Sequence, residues 1–443
     1  MKIGVFGAGY VGLVTAVCLA DLGFDLWVVE KNKAKLDKLR AGINTIYEAG
    51  LTELLNKNIE LGRIQFTDEG KFVVENSEAI FLCVGTPSRP DGSADMSQIE
   101  SAMKEIVEQT VQLGQYRLVV VKSTVPVGTS AWLRKIASMY ARGHESLIDI
   151  ASNPEFLREG AAVKDFMEPD RIVLGCSSER ARELLTYIYQ QFDCPKIVTD
   201  SNTAEIIKYA ANSFLATKIS FINMVADLCE SVGGDISQVA EGMGYDKRIG
   251  KEFLRAGIGF GGSCFPKDLR AFVHVGQLHN LNFSLLEEVI KINQSRPQRV
   301  IARLKEMLWV LQGKKIAVLG LTFKPNTDDV RETPAAGLIA ALKAEGAIVS
   351  ATDPIGIDNF KKIYPLEAKD VHFHEKPEMA LKNSHAVLLV TDWPEYNQLN
   401  WAGIRNEVEL PLFLDGRNFL KNQTGLIDDF LYTAVGSKST GGN

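Results

Sequence analysis

From Lys2 the chain reads KIGVFGAGYVGLVTA, and this stretch limits the fold more than any other. Lys2–Phe6 has the Val/Ile character of a buried strand. It stops at Gly7, and Gly7-x-Gly9-x-x-Gly12 leads straight into a run of helical character. Each glycine has its own physical use. The first permits a tight turn, the second lets a phosphate approach the backbone, and the third lets helix and strand pack closely. A pyrophosphate would then meet free amides and the dipole at the helix N-terminus. Ile3 to Ala20 is uncharged and could pass for a signal peptide or a spanning segment. Gly4, Gly7, Gly9 and Gly12 make it a poor helix interior and argue against both. No other stretch is long and apolar enough to span a bilayer, so no membrane association is expected.

Eighteen residues beyond Gly12, Glu30 ends a second apolar run. A carboxylate there accepts hydrogen bonds from a ribose 2′-OH and repels a 2′-phosphate, which favours NAD over NADP. Lys31 sits beside it and weakens that preference slightly. A G-x-G-x-x-G alone can be a purely structural turn. Strand, helix and acid in their expected places make dinucleotide binding the better reading.

The same alternation continues. Leu26–Glu30, Ala79–Val84, Leu118–Lys122, Ile148–Ala151 and Arg171–Leu174 read as further buried strands with helical segments between them. This is the pattern of βαβ units on a parallel sheet. From Asn202 to Val232 the chain has neither Pro nor Gly and carries helical periodicity. A helix that long bridges domains or forms a dimer seam. A second alternating block starts at Lys314, with strands expected at Lys315–Leu319, Ala347–Thr352, Ala386–Val390 and Leu412–Leu414. It resembles a weak repeat of the first block: Asp353 stands where Glu30 does, but Gly320-Leu-Thr-Phe replaces the glycine fingerprint. The expected architecture is α/β, two Rossmann-like doubly wound parallel-sheet domains joined by a long central helix. The boundaries are 1–200 for a dinucleotide-binding domain, 201–311 for a helical linker and dimerisation domain, 312–435 for a second Rossmann-like domain, and 436–443 for a disordered tail.

With 443 residues, 46% of them apolar, a buried core is easily supplied. Lysine and arginine total 49 against 55 acids, a net charge of −6, which lacks the positive field of a nucleic-acid binder. The six cysteines form no C-x-x-C pair and no Cys/His cluster of zinc spacing. No metal site is expected, and free thiols fit a reducing cytoplasm.

One of those thiols stands apart. Gly257–Asp268 reads GIGFGGSCFPKD, and its glycines let a backbone wrap closely around a ligand. Cys264 there is either a nucleophile, favoured as thiolate by Lys267 and the following helix N-terminus, or a small hydrophobe in a turn. The segment alone leaves these even. Lys208 and Asn212 are four apart and share a helix face, though a solvated lysine and a surface amide would look the same. Glu155, in Asn153-Pro-Glu155-Phe-Leu-Arg-Glu-Gly160, follows a buried strand where α/β sites form, or else caps a helix. Lys122-Ser-Thr124-Val-Pro-Val-Gly128 brings hydroxyls to the same edge.

GAGYVG, CVGTPSRPDGSAD, KSTVPVGT, NPEFLREG, GFGGSCFPKD and GLTFKPNTDDVRETP occur in this order across nearly the whole chain. Together they resemble the bacterial UDP-glucose 6-dehydrogenases among the nucleotide-sugar dehydrogenases. The resemblance implies four-electron oxidation of UDP-glucose to UDP-glucuronate with NAD, through a thiohemiacetal and a thioester that water cleaves. It implies that Cys264 is the nucleophile and that Lys208 and Asn212 stabilise the oxyanion, with Lys208 also a proton acceptor. Asp268 and Glu155 would activate water, and Thr124 would hold the catalytic water or the nicotinamide edge. Sugar-nucleotide contacts would come from Glu155, Phe156, Leu157, Arg158 and Glu159, from Lys208 and Asn212, from Phe253, Leu254, Arg255, Ala256 and Gly257, and from Gly261 and Lys324. Cofactor contacts would come from Gly7, Gly9, Val11, Gly12, Glu30, Lys35, Thr86, Thr124, Glu159, Lys267 and Arg331. Arg331 lies in the second block, so domain closure is expected to complete that site. A homodimer through the long helix is expected as well.

Rival readings differ in chemistry. A GDP-mannose 6-dehydrogenase shares the four-electron logic, but DFMEPDRIVLG and KEFLRAGIGFGGSCFPKD look more like the UDP-glucose enzymes; UDP-N-acetylmannosamine dehydrogenases are more remote in these loops. A two-electron hydroxyacid dehydrogenase needs no thiol. A short-chain epimerase or reductase needs Tyr-x-x-x-Lys, which none of the tyrosines provides. An NAD-sensing scaffold would not require Cys264, Lys208 and Asp268 together.

Overall fold

A computed structural model describes residues 1–437. They divide into two compact units: Met1–Ala211 with Arg270–Asn280, and Asn212–Leu269 with the chain from Leu281 onward.

The first unit is built on one sheet of β1 (Lys2–Phe6), β2 (Asp25–Val29), β3 (Ile64–Thr67), β4 (Ala79–Leu82), β5 (Arg117–Val121), β6 (Ile148–Ser152), β7 (Ile172–Gly175) and β8 (Lys196–Thr199). Their order is 3-2-1-4-5-6-7-8. All neighbours run parallel except β6 and β7, which meet antiparallel at Ser152 and Gly175. The chain leaves β1 towards β2 and β3, then returns to β4 on the other side. The switch point therefore lies at the carboxyl ends of β1 and β4, where ligands of such sheets bind. The helix α1 (Tyr10–Asp21) follows β1 and is buried along most of its length. Its fit explains Gly12, since a Cβ there would come within 1.9 Å of the Gly7 carbonyl oxygen.

β3 and β8 were not among the strands expected from apolar runs. Ile64–Thr67 is IQFT, with only Ile64 and Phe66 buried, and β8 lies at the sheet edge with Ile197 and Val198 exposed. Short strands open to solvent on one side carry too few apolar residues to stand out.

Four further helices matter below: α2 (Thr129–Ala141), α3 (Ser201–Val232), α4 (Phe265–Leu278) and α5 (Ser284–Leu308). The uninterrupted α3 follows from the absence of Pro and Gly, and the division between the units falls within it, after Ala211.

The second unit holds a six-stranded parallel sheet of β9 (Lys315–Leu319), β10 (Ile348–Thr352), β11 (His372–Phe373), β12 (Ala386–Leu389), β13 (Leu412–Asp415) and β14 (Leu431–Ala434), in the order 11-10-9-12-13-14. The repeat is real at its first turn: Gly7 and Gly320 both have φ +99°. The acids after β2 and β10 differ in use. Asp353 is buried and accepts from the amides of Leu321, Thr322, Ile355 and Gly356, at 2.7–3.1 Å, and from the Trp393 indole at 3.1 Å. It locks the second turn from inside, whereas Glu30 only accepts from the Asn32 amide at 2.9 Å and faces Lys35 at 3.6 Å.

A disordered tail was expected from Gly436. Gly436 donates to Glu230 at 2.7 Å and Ser437 accepts from Arg303 at 3.0 Å; residues 438–443 lie outside the described residues. Among the described residues no helix is long and apolar enough to cross a membrane.

Candidate active site

In the first unit, Gly7 donates its amide to Val29 at 3.0 Å, and the turn delivers the chain to α1 with Gly9 as its N-cap. No side chain caps that N-terminus, and a Cβ on Gly9 would meet nothing within 4 Å. Val11 follows in the first turn. Lys31 reaches Asp68 O at 3.0 Å and Glu105 at 3.6 Å, so it does not neutralise Glu30. Uncapped amides beside an open glycine, with an acid at the end of β2, fit a dinucleotide whose ribose carries a free 2′-hydroxyl. At the end of β4, Thr86 Oγ1 donates to Thr124 O at 2.9 Å and ties two of the expected cofactor residues together.

Beyond β6, Asn153-Pro154-Glu155 carries the chain over the sheet edge. Lys208 of α3 donates to Glu155 at 2.9 Å, and both are almost fully buried. Burial pushes the Glu155 carboxyl up, but the Lys208 charge and hydrogen bond, the Leu157 amide and Lys122 outweigh it and hold it below the usual carboxylate range. Two cations approach the Phe156 ring, with Arg171 3.7 Å and Lys208 Nζ 5.5 Å from its centroid. Arg158 forms a fork on Asp165 at 2.6 and 3.0 Å, and Glu159 is buried.

Three supports of this edge gave no warning in the sequence. Glu48 pairs with the Tyr10 hydroxyl and accepts from the Gly160 and Ala162 amides at 2.8 Å, so it joins GAGYVG to NPEFLREG. Lys122 donates to Asn153 Oδ1 at 2.9 Å, which also accepts from the Tyr189 hydroxyl. Glu205 is buried on α3 one turn before Lys208. Each is an ordinary charged residue whose partners are remote in sequence.

In the second unit, Cys264 immediately precedes α4. It is partly exposed, with Ser263 Oγ 3.6 Å from its sulfur. Burial pushes the Cys18 and Cys83 thiols up to about 12 and Cys176 up to about 11, which keeps them protonated at neutral pH. Asp268, 1% exposed, accepts from Asn212 at 2.6 Å and from Lys267 at 2.8 Å. Asn212 of α3 therefore joins Lys267 and Asp268, in the first turn of α4, in one cluster.

The glycine loop before Cys264 is tightly seated. A Cβ on Gly261 would lie 2.2 Å from Glu332 O, and Gly262 donates to Arg331 O at 2.9 Å. Gly257 donates to Asn223 at 2.7 Å, and Ala256 and Gly259 carbonyls accept from Asn418 at 3.1 Å and Arg417 at 3.0 Å. Leu254 and Ala256 are buried, Phe253 holds φ +63°, and Arg255 pairs with Asp392 at 3.0 Å. Lys324 Nζ lies 5.4 Å from the Phe323 ring. Arg331 is engaged with Asp329 at 2.7 and 2.9 Å.

The expected residues thus fall into two sets. Gly7, Gly9, Val11, Gly12, Glu30, Lys35, Thr86, Thr124, Glu155–Glu159 and Lys208 belong to the first unit. Asn212, Phe253–Gly257, Gly261, Cys264, Lys267, Asp268, Lys324 and Arg331 belong to the second. Lys208 and Asn212 follow one another by one turn of α3.

Residues 1–193 match the NAD binding domain of the UDP-glucose/GDP-mannose dehydrogenase family, 202–295 its central domain, and 317–422 its UDP binding domain. The UDP-glucose 6-dehydrogenase of Rickettsia conorii is 43% identical over 99% of this chain and all of its own length. UDP-glucose 6-dehydrogenase TuaD of Bacillus subtilis is 40% identical over 100% of this chain and 94% of its own. The structure of a UDP-glucose dehydrogenase from Pyrobaculum islandicum is 39% identical with a TM-score of 0.91, covering 99% of this chain and 98% of that one. Fold, ordered motifs and full-length likeness agree: the chain belongs to the UDP-glucose/GDP-mannose dehydrogenase family.

Proposed function

We propose that this chain is a UDP-glucose 6-dehydrogenase that oxidises the primary alcohol of UDP-glucose to UDP-glucuronate. The observation that carries the chemistry is the partly exposed Cys264 at the head of α4, one turn before an Asp268 held by Asn212 and Lys267. NAD⁺ would be held at the glycine turn and would supply the hydride acceptor, one molecule for each of the two oxidations, with NADH exchanged for a second NAD⁺ between them. In the first, the C6 alcohol loses a proton and a hydride and becomes an aldehyde; Lys208 takes the proton as a neutral amine, having first given its own to solvent, and the ammonium so formed, paired with Glu155, steadies the alkoxide. The Cys264 thiolate then adds to the carbonyl carbon, and the oxygen is protonated to give a thiohemiacetal. Loss of that hydroxyl proton and a second hydride leaves a thioester. Water adds to its carbonyl, the C–S bond breaks, and carboxylate and thiol are released. Asp268 and Glu155 support the activation of that water, and Asn212 the oxyanion. Capture on sulfur keeps the aldehyde from escaping between oxidations.

The residues of the dinucleotide edge would be Gly7, Gly9, Val11, Gly12, Glu30, Lys35, Thr86, Thr124, Glu159, Lys267 and Arg331. Those of the sugar nucleotide would be Glu155–Glu159, Phe253–Gly257, Gly261 and Lys324. The apolar stripe on α3 supports a homodimer. Free thiols at all six cysteines support a cytoplasmic setting.

The test is stoichiometry. Purified protein is given UDP-glucose, GDP-mannose or UDP-N-acetylmannosamine with NAD⁺, and NADH is counted per sugar consumed. Two per UDP-glucose is expected. One per sugar, or preference for another nucleotide sugar, overturns the reading.

A further inference from the structure

Glu205 lies one turn before Lys208 on α3 and is 2% exposed. Its Oε1 accepts from the Ser130 amide at 2.9 Å and the Ser130 hydroxyl at 2.6 Å; its Oε2 accepts from the Gly128 amide at 2.6 Å. Gly128 is the N-cap of α2 and supplies no capping side chain. Glu205 therefore brings, from a different helix, the anion that the α2 N-terminus lacks.

Gly128 also ends the segment Lys122–Gly128 that carries Thr124. At the other end of that segment Ser123 Oγ donates to Val84 O at 2.6 Å, and Thr124 O accepts from Thr86 at 2.9 Å. Between them, Thr129 Oγ1 holds Pro126 O at 2.6 Å. Thr124 thus sits in a short segment pinned at both ends. One pin is the sheet edge; the other is the helix that carries Lys208. Burial pushes the Glu205 carboxyl above the usual range in spite of these donors and the nearby Arg134. A buried acid whose desolvation outweighs its bonds is a poor device for stability alone.

We propose that Glu205 is a positioning residue for hydride transfer, fixing the Thr124 segment in register with Lys208. This rests on the roles given to Thr124 and Lys208 above. Glu205 touches no reacting atom. Its amide isostere, Glu205→Gln, turns an NH₂ group towards the donors and releases the Gly128 end of the segment.

The experiment is a double-mutant cycle in the full chain. First-turnover NADH formation, KM for UDP-glucose and Tm are measured for wild type, Glu205→Gln, Thr124→Ala, the double variant, Ser130→Ala and Lys208→Met. Glu205→Gln is expected to slow the first turnover by about ten- to a hundredfold while KM changes little. On the Thr124→Ala background it should cost less than about threefold, because its effect passes through Thr124. Ser130→Ala, which keeps both backbone donors, should retain more activity than Glu205→Gln. Wild-type turnover by Glu205→Gln, or losses that multiply in full, would overturn the proposal. Should Glu205→Gln fail to fold, Ser130→Ala decides in the same cycle: non-additive loss supports positioning, and independent losses refute it. If Thr124→Ala and Lys208→Met themselves turn over normally, the mechanism beneath the proposal is wrong; if they are slow and Glu205→Gln is not, only the positioning role fails.

Discussion

Cys264 and Asp268 stand one turn apart, with the Asp268 amide bonded to Cys264 O at 2.8 Å. Cys264 stands immediately before the α4 N-terminus, and the Asp268 carboxylate is held by a neutral donor and a cation. Replacing the sulfur tests their division of labour. Cys264→Ser is expected to retain the first hydride transfer and lose sustained NADH production by about a thousandfold or more. Full turnover by this variant refutes the nucleophile. Lys122 carries a different consequence. Burial pushes its ammonium down from 10.5 to about 8, against the attraction of Glu155. Between pH 8 and 10.5 the unfolded chain keeps a proton that the folded chain has released, so stability gained from this group rises with pH across that window and is absent below it. The amplitude is up to about 3 kcal/mol. Relative to Lys122→Met, wild-type Tm should therefore climb from pH 8 to 10; parallel Tm curves would show that Lys122 is not held so low.

At the scale of elements, the turn between β1 and α1 is the most constrained piece of the fold. Adding one methyl at Gly12 drives it into the Gly7 carbonyl, and α1 must back away from the sheet edge. Gly12→Ala is expected to cost about 2 kcal/mol of stability and to weaken NAD binding at least tenfold, by thermal melting and cofactor titration. Unchanged affinity would mean that the turn is only structural. Features of this kind are legible because they are local. The glycine spacing, the apolar runs Ala79–Leu82 and Leu118–Val121, the uninterrupted α3 and the Cys264 loop all declare themselves over a few residues. What escapes is set by remote partners. Glu48, Lys122 and Glu205 look like any surface charge until the sheet edge buries them. The strands IQFT and KIVT carry too little apolar length, and the positive φ of Phe253 has no sequence mark. Asp353 was legible as the counterpart of Glu30 but not in its use, because its donors come from three separate loops.

At the scale of the whole molecule, α3 presents a face that its own unit does not cover. Ile222, Ala226 and Cys229 are buried on one side of the helix. On the other, Phe214 is 66% exposed and Leu228 60%, with Phe221, Met224 and Val232 also open to solvent. Phe214, Phe221 and Leu228 recur every seven residues, and Met224 and Val232 fall beside them. That spacing keeps one stripe in line along a helix and suits pairing with a second copy of itself. Scattered exposed apolar residues need no explanation, but a continuous stripe of this length does. Wild-type chain is therefore expected to sediment as a dimer at micromolar concentration. Large side chains at the centre of such a seam each contribute about 2 kcal/mol or more, and a carboxylate placed there is left without a partner. Phe221→Asp with Leu228→Asp should give a folded monomer with a native far-UV spectrum. A wild-type monomer, or a double variant that dimerises as tightly as wild type, places any interface elsewhere than α3.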